Sequence, residues 1–442
     1  MNAIYTSKTL NKEVLRLAIP SILASVTIPL VGMVDTAIVG HIADATAIGG
    51  IAIGTMLFDL LYWNFGFLRV GTGGMAAQAY GRNDTKAMSN ILAQSLGIAV
   101  CASLLIWALQ WVFVNLVLWF VPCSQEVSQF AQQYFYVRIW AAPATLSLLA
   151  IKGWLIGMQD TIGPMICDLV VNVVNIVASY WLAVKTPLGA LGVAHGTVVA
   201  QYSGLLVAFI LLYRYRGIIR SLDWRHCIRW SEMRKLFALN SNLFLRSLCF
   251  MVVYVGFTTL AAKYGDEELA VSSIIMKLLL LYSYFLDGFA YAGEALTGRF
   301  FGEKNRPALR KVVRILFIWT FIIGIVSTVA YYLWGEWMVH LMTDNESIIV
   351  CARKYLFWLV IMPLLRCAAF IWDGIYIGAT AGKEVRNCMI LAAVGFAVSY
   401  IAFENAFMVQ ALYIAYFVHL IIRALYLTIK WSSVEKRITQ TT

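Results

Sequence analysis

The chain has 442 residues, of which 61% are hydrophobic and only 13% charged. A soluble domain carries about 25% charged residues, so this chain cannot cover a globule with polar side chains; a soluble enzyme, a DNA-binding module and a disordered scaffold are excluded. Its net charge of +11, from 34 basic and 23 acidic residues, then belongs to loops at a membrane surface, and no nucleic-acid partner is expected.

A bilayer core takes about 20 apolar residues per helix. In chain order such runs fall at 13–36, 48–78, 88–118, 130–157, 163–183, 191–213, 236–262, 269–297, 312–334, 349–378, 388–403 and 408–430. They predict an all-α integral membrane protein of twelve transmembrane helices. The first run follows Lys8, Lys12 and Arg16 and reads as an uncleaved first span. Alternate connections are basic. They hold Arg82 and Lys86, then the stretch 214–235, then Arg299, Lys304, Arg306, Arg310, Lys311 and Arg314, then Lys383 and Arg386, then Lys436 and Arg437. The opposite connections hold little beyond Lys185 and Lys263. The excess of Lys and Arg on one side places both termini in the cytoplasm and the chain in the plasma (inner) membrane, with the lipid bilayer as its main partner.

A repeat at an offset of about 220 residues divides the chain. Ala18, Ile19 and Ser21 recur as Ala238, Leu239 and Ser241, and Tyr80-Gly81 as Phe301-Gly302. Pro143 recurs as Pro363, Gly153 and Gly157 as Gly374 and Gly378, and Ser179-Tyr180 as Ser399-Tyr400. Six spans return the chain to its starting side, so the halves have the same orientation. They are expected to be two six-helix lobes related by a pseudo-two-fold along the membrane normal, with the substrate site between them. The boundaries are 1–213 for the N-lobe, 214–235 for a basic cytoplasmic linker and 236–442 for the C-lobe.

The eight cysteines form no CxxC pair and the five histidines no HExxH, so neither a metal nor a catalytic centre is expected. The intramembrane protease signals fail as well: 201–204 reads QYSG, and the YGD at 264–266 lacks its partner. What remains is a set of ionisable residues inside apolar runs, each costing at least ~2.5–3.5 kcal/mol to insert.

Asp35 lies in PLVGMVDTAIVGHI at 29–42, where burial favours the neutral acid and makes it a candidate for reversible protonation. Pro20, fifteen residues earlier, removes one helical hydrogen bond and supplies a bend point. Asn172, Asn175 and Ser179 recur at i, i+3 and i+7 on one helical face, and Thr197 opens the next span. These polar residues either assist Asp35 in holding a cation or a water, or act as polar glue between helices. In the second half Asp287 and Glu294 share a face and Asp373 lies on the tenth span, with Arg246, Lys277 and Arg366 as the expected counter-charges. This C-lobe set reads either as a chamber for a cationic substrate, or a second coupling site, or as a structural ion-pair network. Asp59 and Asp168 are weaker candidates. Trp63, Trp140 and Trp154 either line a chamber for flat cations or belong to the aromatic belts and the core.

Taken together, these segments resemble the MATE (multidrug and toxic compound extrusion) transporters, and most closely their prokaryotic DinF-like branch. The resemblance rests on VDTAIVGHI at 34–42, GTGGMAAQAYGRND at 71–84 and GMQDTIGP at 157–164. It continues in LDGFAYAGEALTGRFFG at 286–302, WDGIYIGAT at 372–380 and VRN at 385–387. It implies export of organic cations, drugs or toxic metabolites by a protein without cofactor, expected to act as a monomer, in exchange for inward protons or possibly sodium. By motif, Pro20 corresponds to the proline at which the first helix bends, Asp35 to the coupling carboxylate, and Asn175 and Thr197 to its hydrogen-bond network. Ser179 stands where many relatives carry a second aspartate, a departure that removes one acid from a family-style sodium site and favours coupling through Asp35 alone. A lipid-linked precursor flippase of the same two-lobe plan is the alternative.

Overall fold

A computed structural model describes residues 5–42, 45–121, 123–223 and 230–439. Among the described residues the chain is helical, with no strand. The helices are α1 (Ser7–Ile42), α2 (Ala45–Phe65), α3 (Phe67–Gly81), α4 (Thr85–Phe120), α5 (Gln125–Arg138), α6 (Ala142–Gly157), α7 (Ile162–Lys185), α8 (Leu191–Tyr213) and the single turn α9 (Arg216–Ile219). They continue with α10 (Trp230–Ala261), α11 (Asp266–Gly302), α12 (Arg306–His340), α13 (Glu346–Arg353), α14 (Leu356–Gly378), α15 (Gly382–Phe407) and α16 (Gln410–Lys436). Of the basic stretch 214–235, residues 224–229, with Arg225 and Arg229, lie outside the described residues.

Eleven stretches among the described residues are long and apolar enough to cross a membrane, and each falls on one of the predicted runs two to twelve. The 36-residue α1 covers the first run. Three runs that composition reads as continuous are interrupted. The second breaks at Gly66, the fourth at the 3-10 turn Ile139–Ala141, and the tenth between α13 and α14. Hydropathy sums over the first two because the residues at them are themselves apolar or small, and over the third because Arg353 and Lys354 are outweighed by the apolar residues on either side. The eleventh helix is longer than its run, Gly382–Phe407 against 388–403, because its end turns carry Glu384, Arg386 and Glu404, which an apolar window rejects.

The chain divides into two compact units. Leu23–Phe237 forms the first; Met1–Ile22 and Ala238–Thr442 form the second. In the first unit α6 lies against α3 at van der Waals distance of the backbones. A Cβ on Gly153 would stand 2.2 Å from the Arg69 carbonyl oxygen, and one on Gly157 would stand 2.6 Å from that of Gly73. In the second unit α14 meets α11 in the same way. A Cβ on Gly374 would stand 2.3 Å from the Ala290 carbonyl, and one on Gly378 2.4 Å from that of Glu294. All four residue pairs recur at one offset, 221 residues from Gly153 to Gly374. The turns recur at it too. Asn83 and Lys304, each at φ 55°, precede the N-caps Asp84 and Asn305, whose side chains accept from the Ala87 and Ala308 amides. Without a hydrophobic effect between helices in lipid, small residues that let backbones touch are the main source of packing energy.

The first residues of α1 are fixed to the second unit. The Arg299 guanidinium donates to the Tyr5 hydroxyl at 2.9 Å, and Tyr5 donates to Glu303 at 3.1 Å. Arg299 also pairs with Glu13 at 3.5 Å, and the Trp319 indole donates to Asn11 at 2.6 Å. Gly288 on α11 faces Ala18 and Ile22 so closely that a Cβ would stand 2.4 Å from Ile22. From Leu23 onward α1 belongs to the first unit, so the division falls inside one helix, just after Pro20.

Gly153→Ala and Gly374→Ala are expected to cost about 1–3 kcal/mol each, the usual range for overpacking. Thermal unfolding in detergent measures it. Gly97→Ala on α4, where a Cβ meets nothing within 4 Å, serves as the control and should be neutral or slightly stabilising.

Candidate coupling site and a buried ion network

The first polar cluster is built by a glycine pair. Gly192 and Gly196 lie on one face of α8, and a Cβ on Gly196 would stand 2.5 Å from the Ser179 amide nitrogen and hydroxyl. One on Gly192 would stand 2.5 Å from the Ala183 amide. This small-xxx-small contact sets α8 directly on α7. It brings Thr197 to Asn175, whose Nδ2 donates to Thr197 Oγ1 at 3.1 Å, while Thr197 donates to the Val193 carbonyl. One turn away Asn172 Nδ2 donates to Thr27 Oγ1 at 2.6 Å, tying α7 to α1. Thr27 was not singled out in the sequence; a lone threonine in an apolar run carries no signal there.

Asp35 faces this cluster. The side chain is half-buried. The Ser179 hydroxyl and the Arg138 guanidinium are the groups that act on its carboxylate. Asp35 Oδ1, Asn175 Oδ1 and Ser179 Oγ are buried, and none makes a hydrogen bond of regular geometry. Three oxygens of this kind, one of them on an acid, can take up a proton or a small monovalent cation. Among the described residues no group of three His, Cys, Asp or Glu side chains suits a metal ion. Arg138 donates to the Tyr134 hydroxyl at 3.2 Å and stands over the Phe58 ring at 4.7 Å. Asp168 pairs with Lys152 at 2.7 Å, and Asp59 is exposed. Trp154 is fully buried, its indole donating to the Met88 carbonyl at 2.8 Å, which makes it core; Trp63 and Trp140 are exposed.

The C-lobe candidates separate. Asp373 is buried on α14, and its Oδ2 accepts from Arg246 at 2.6 Å and from Arg423 at 2.8 Å. The counter-charges of Asp373 are therefore Arg246 and Arg423. Arg366, on the same helix, turns to the Leu279 carbonyl at 2.8 Å and lies over the Phe370 ring at 5.1 Å. Arg423 stands over the same ring at 5.6 Å. Glu294 is buried on α11, Asp287 is half-buried, and Lys277 is exposed. Beside Arg423, one turn back on α16, His419 is fully buried and stacked on Tyr416. The sequence offered His419 and Arg423 at an i, i+4 spacing. Neither is among the sequence candidates; an arginine so near the basic end of a last span carries no signal of a buried pair, because such a side chain can also snorkel to the interface.

The MatE family model matches residues 20–181 and 243–403. DNA damage-inducible protein F of Escherichia coli (strain K12) is 35% identical over 430 residues, covering 95% of this chain and 92% of that protein. The probable multidrug resistance protein NorM of Thermotoga maritima is 22% identical over 354 residues, 78% of this chain and 75% of that one. Among solved structures, a MOP superfamily transporter from Pyrococcus furiosus superposes with a TM-score of 0.86 at 18% identity, covering 97% of this chain and 96% of that one.

Removing one partner of a buried ion pair costs about 3–5 kcal/mol because the other charge is left uncompensated. Arg423→Met, at a side chain only 2% exposed, should cost that much. Arg246→Met should cost clearly less, because its side chain is 22% exposed and water can replace it. Unfolding of the purified variants in detergent compares the two; equal losses would refute the ranking.

Proposed function

The chain belongs to the MatE family, and we propose that it is a secondary antiporter that exports drugs or toxic metabolites in exchange for an inward cation, with Asp35 as the coupling group. The observation that carries this reading is the set of buried oxygens, Asp35 Oδ1, Asn175 Oδ1 and Ser179 Oγ, that make no hydrogen bond of regular geometry. An acid held in hydrocarbon without a fixed counter-ion is functional by default. Among the described residues of the cluster the only acid is Asp35, and Ser179 adds a neutral oxygen; one carboxylate suits one proton, and the proton is the favoured ion.

In the proposed cycle an outward-open state exposes Asp35, which takes a proton and loses its charge. The neutral acid no longer needs the polar face of α7, and α1 bends at Pro20, where no amide hydrogen holds the helix. The cavity on the first unit shrinks, and cargo leaves. Return to the inward-open state releases the proton and admits new cargo. Each ligand shifts the two states only by its difference in affinity for them. Both termini and the basic connections lie on the cytoplasmic side in this scheme.

The gradient limits what one proton can drive. One pH unit supplies about 1.36 kcal/mol, roughly tenfold accumulation. Exchange of one proton for one monovalent cation moves no net charge. A neutral cargo would add about 2.3 kcal/mol per 100 mV of membrane potential.

Efflux from proteoliposomes, driven separately by a pH and by a sodium gradient, tests the reading. Asp35→Asn should insert and fold as the parent does and lose gradient-driven efflux under both conditions; retained efflux would refute the role of Asp35. Pro20→Ala should bind cargo with near-parent affinity and turn over more slowly.

A further inference from the structure

The starts of α1 and α12 lie side by side in the second unit. The Lys311 ammonium donates to the Tyr5 carbonyl at 3.1 Å, and the Trp319 indole donates to Asn11 at 2.6 Å. The two bonds follow in the same order along both helices, which therefore run in parallel from one end. Each helix turns a stripe outward. On α1 Lys8, Lys12, Arg16 and Ile19 recur at i, i+4, i+8 and i+11, and all four are exposed. On α12 Lys311, Arg314, Ile318 and Phe321 recur at i, i+3, i+7 and i+10, and all four are exposed as well. Both stripes are basic over their first turns and apolar beyond them. That is the order in which a leaflet passes from headgroups to hydrocarbon, and Trp319 stands at the change, as interfacial indoles do.

The acids of this end are engaged with other arginines. Glu13 and Glu303 pair with Arg299, Glu435 with Arg306 and Arg310, and Glu384 with Arg437. Lys8, Lys12, Arg16 and Arg314 pair with no acid among the described residues, so their charge faces outward. The Lys311 ammonium is bonded to the carbonyl three residues before Lys8, which sets the two lysines on one rim.

We propose that the seam between α1 and α12 is a docking site for one anionic phospholipid. Its phosphate lies at the rim formed by Lys8, Lys12 and Lys311, and its acyl chains lie along Ile19, Ile318 and Phe321. Charge and shape select this occupant. A zwitterionic headgroup brings its own cation, which the basic stripe repels, and a soluble anion lacks the chains that the apolar half accepts. A lipid across the seam adds to the bonds at Tyr5 and Asn11 that hold the start of α1 to the second unit. The site depends neither on Asp35 nor on the coupling ion.

The test uses the full chain in a neutral detergent and follows thermal unfolding as phosphatidylglycerol or phosphatidylcholine is titrated in. A ligand that binds only the folded state raises stability as its concentration passes Kd. The parent should respond to phosphatidylglycerol at a lower mole fraction than to phosphatidylcholine, and glycerol phosphate at equal ionic strength should not reproduce the response. A basic residue close to anionic lipid contributes about fivefold in affinity, so the double variant Lys8→Gln, Lys12→Gln should need about 25-fold more phosphatidylglycerol. The double variant Lys8→Arg, Lys12→Arg should stay near the parent. Lys185→Gln with Lys354→Gln removes the same charge from exposed lysines elsewhere in the chain and should leave the response unchanged. Equal shifts in the two glutamine pairs would mean a diffuse attraction to net charge and would overturn the site. So would a parent that responds alike to both lipids, or a full response to glycerol phosphate. Unfolding is read without any gradient, so failure here is distinct from a failure of Asp35 in the efflux assay.

Discussion

A charge placed among apolar helices must find a partner or a use, and this constraint orders the polar chemistry of the chain. Leaving an isolated ion in such surroundings costs several kcal/mol, a large share of the net stability of most folds. Lys152 and Asp168 settle the matter within one unit by pairing at 2.7 Å. Asp373 settles it with two arginines. Asp35 has no such counter-ion at contact: a serine hydroxyl faces it, and its Oδ1 is left without a regular hydrogen bond. These three acids therefore stand on one scale of compensation, and the coupling proposed above falls on the one with no counter-ion at contact.

The repeat duplicates the scaffold and not the chemistry. Gly153 and Gly374 admit the backbones of Arg69 and Ala290 at the same depth, and the left-handed residues Gln159 and Thr380 end the two helices alike. A backbone crossing is a steric matter, fixed by the absence of a Cβ, so both halves keep it. Side chains that project from the same frame are free to diverge. The first unit uses that freedom for neutral oxygens around one acid; the second uses it for arginines around another. Two units with one architecture thus carry different polar chemistry in the same molecule.

Much of the frame was legible because membrane insertion is a compositional demand. Apolar runs announced the helices, and the recurring glycines announced the repeat, though not the backbone crossings they turn out to serve. The breaks at Gly66 and at the Ile139–Ala141 turn were not legible, since a helix can stop among apolar residues without any change in hydropathy. The partners of charges were the least legible. Arg366 and Arg423 are the same residue type in similar runs, yet one bonds a carbonyl and the other an aspartate. Which it does depends on the rotation of α16 and α14 about their axes, a tertiary property that no local spacing encodes. Lys277 shows the converse: its run resembles that of a buried counter-ion, but it falls on the exposed face of α11.

The division of α1 gives these parts a connection. Up to Ile22 the helix is held by the second unit through Tyr5, Asn11, Glu13 and the close approach at Gly288. From Leu23 it is held by the first, with Thr27 bonded to Asn172 and Asp35 facing Ser179. A helix anchored at both ends transmits a change at one end only if it is rigid, and absorbs it if it can bend. Pro20 stands almost at the division, where the missing amide hydrogen makes bending cheapest. Under the proposed coupling, the charge on Asp35 decides how firmly the later part of α1 is held to α7. The anchors around Arg299 keep the earlier part in place while that happens. The strain of any change then falls on the residues between Ala18 and Leu23, so a bend in α1 needs no rearrangement of the ion network that fixes its start.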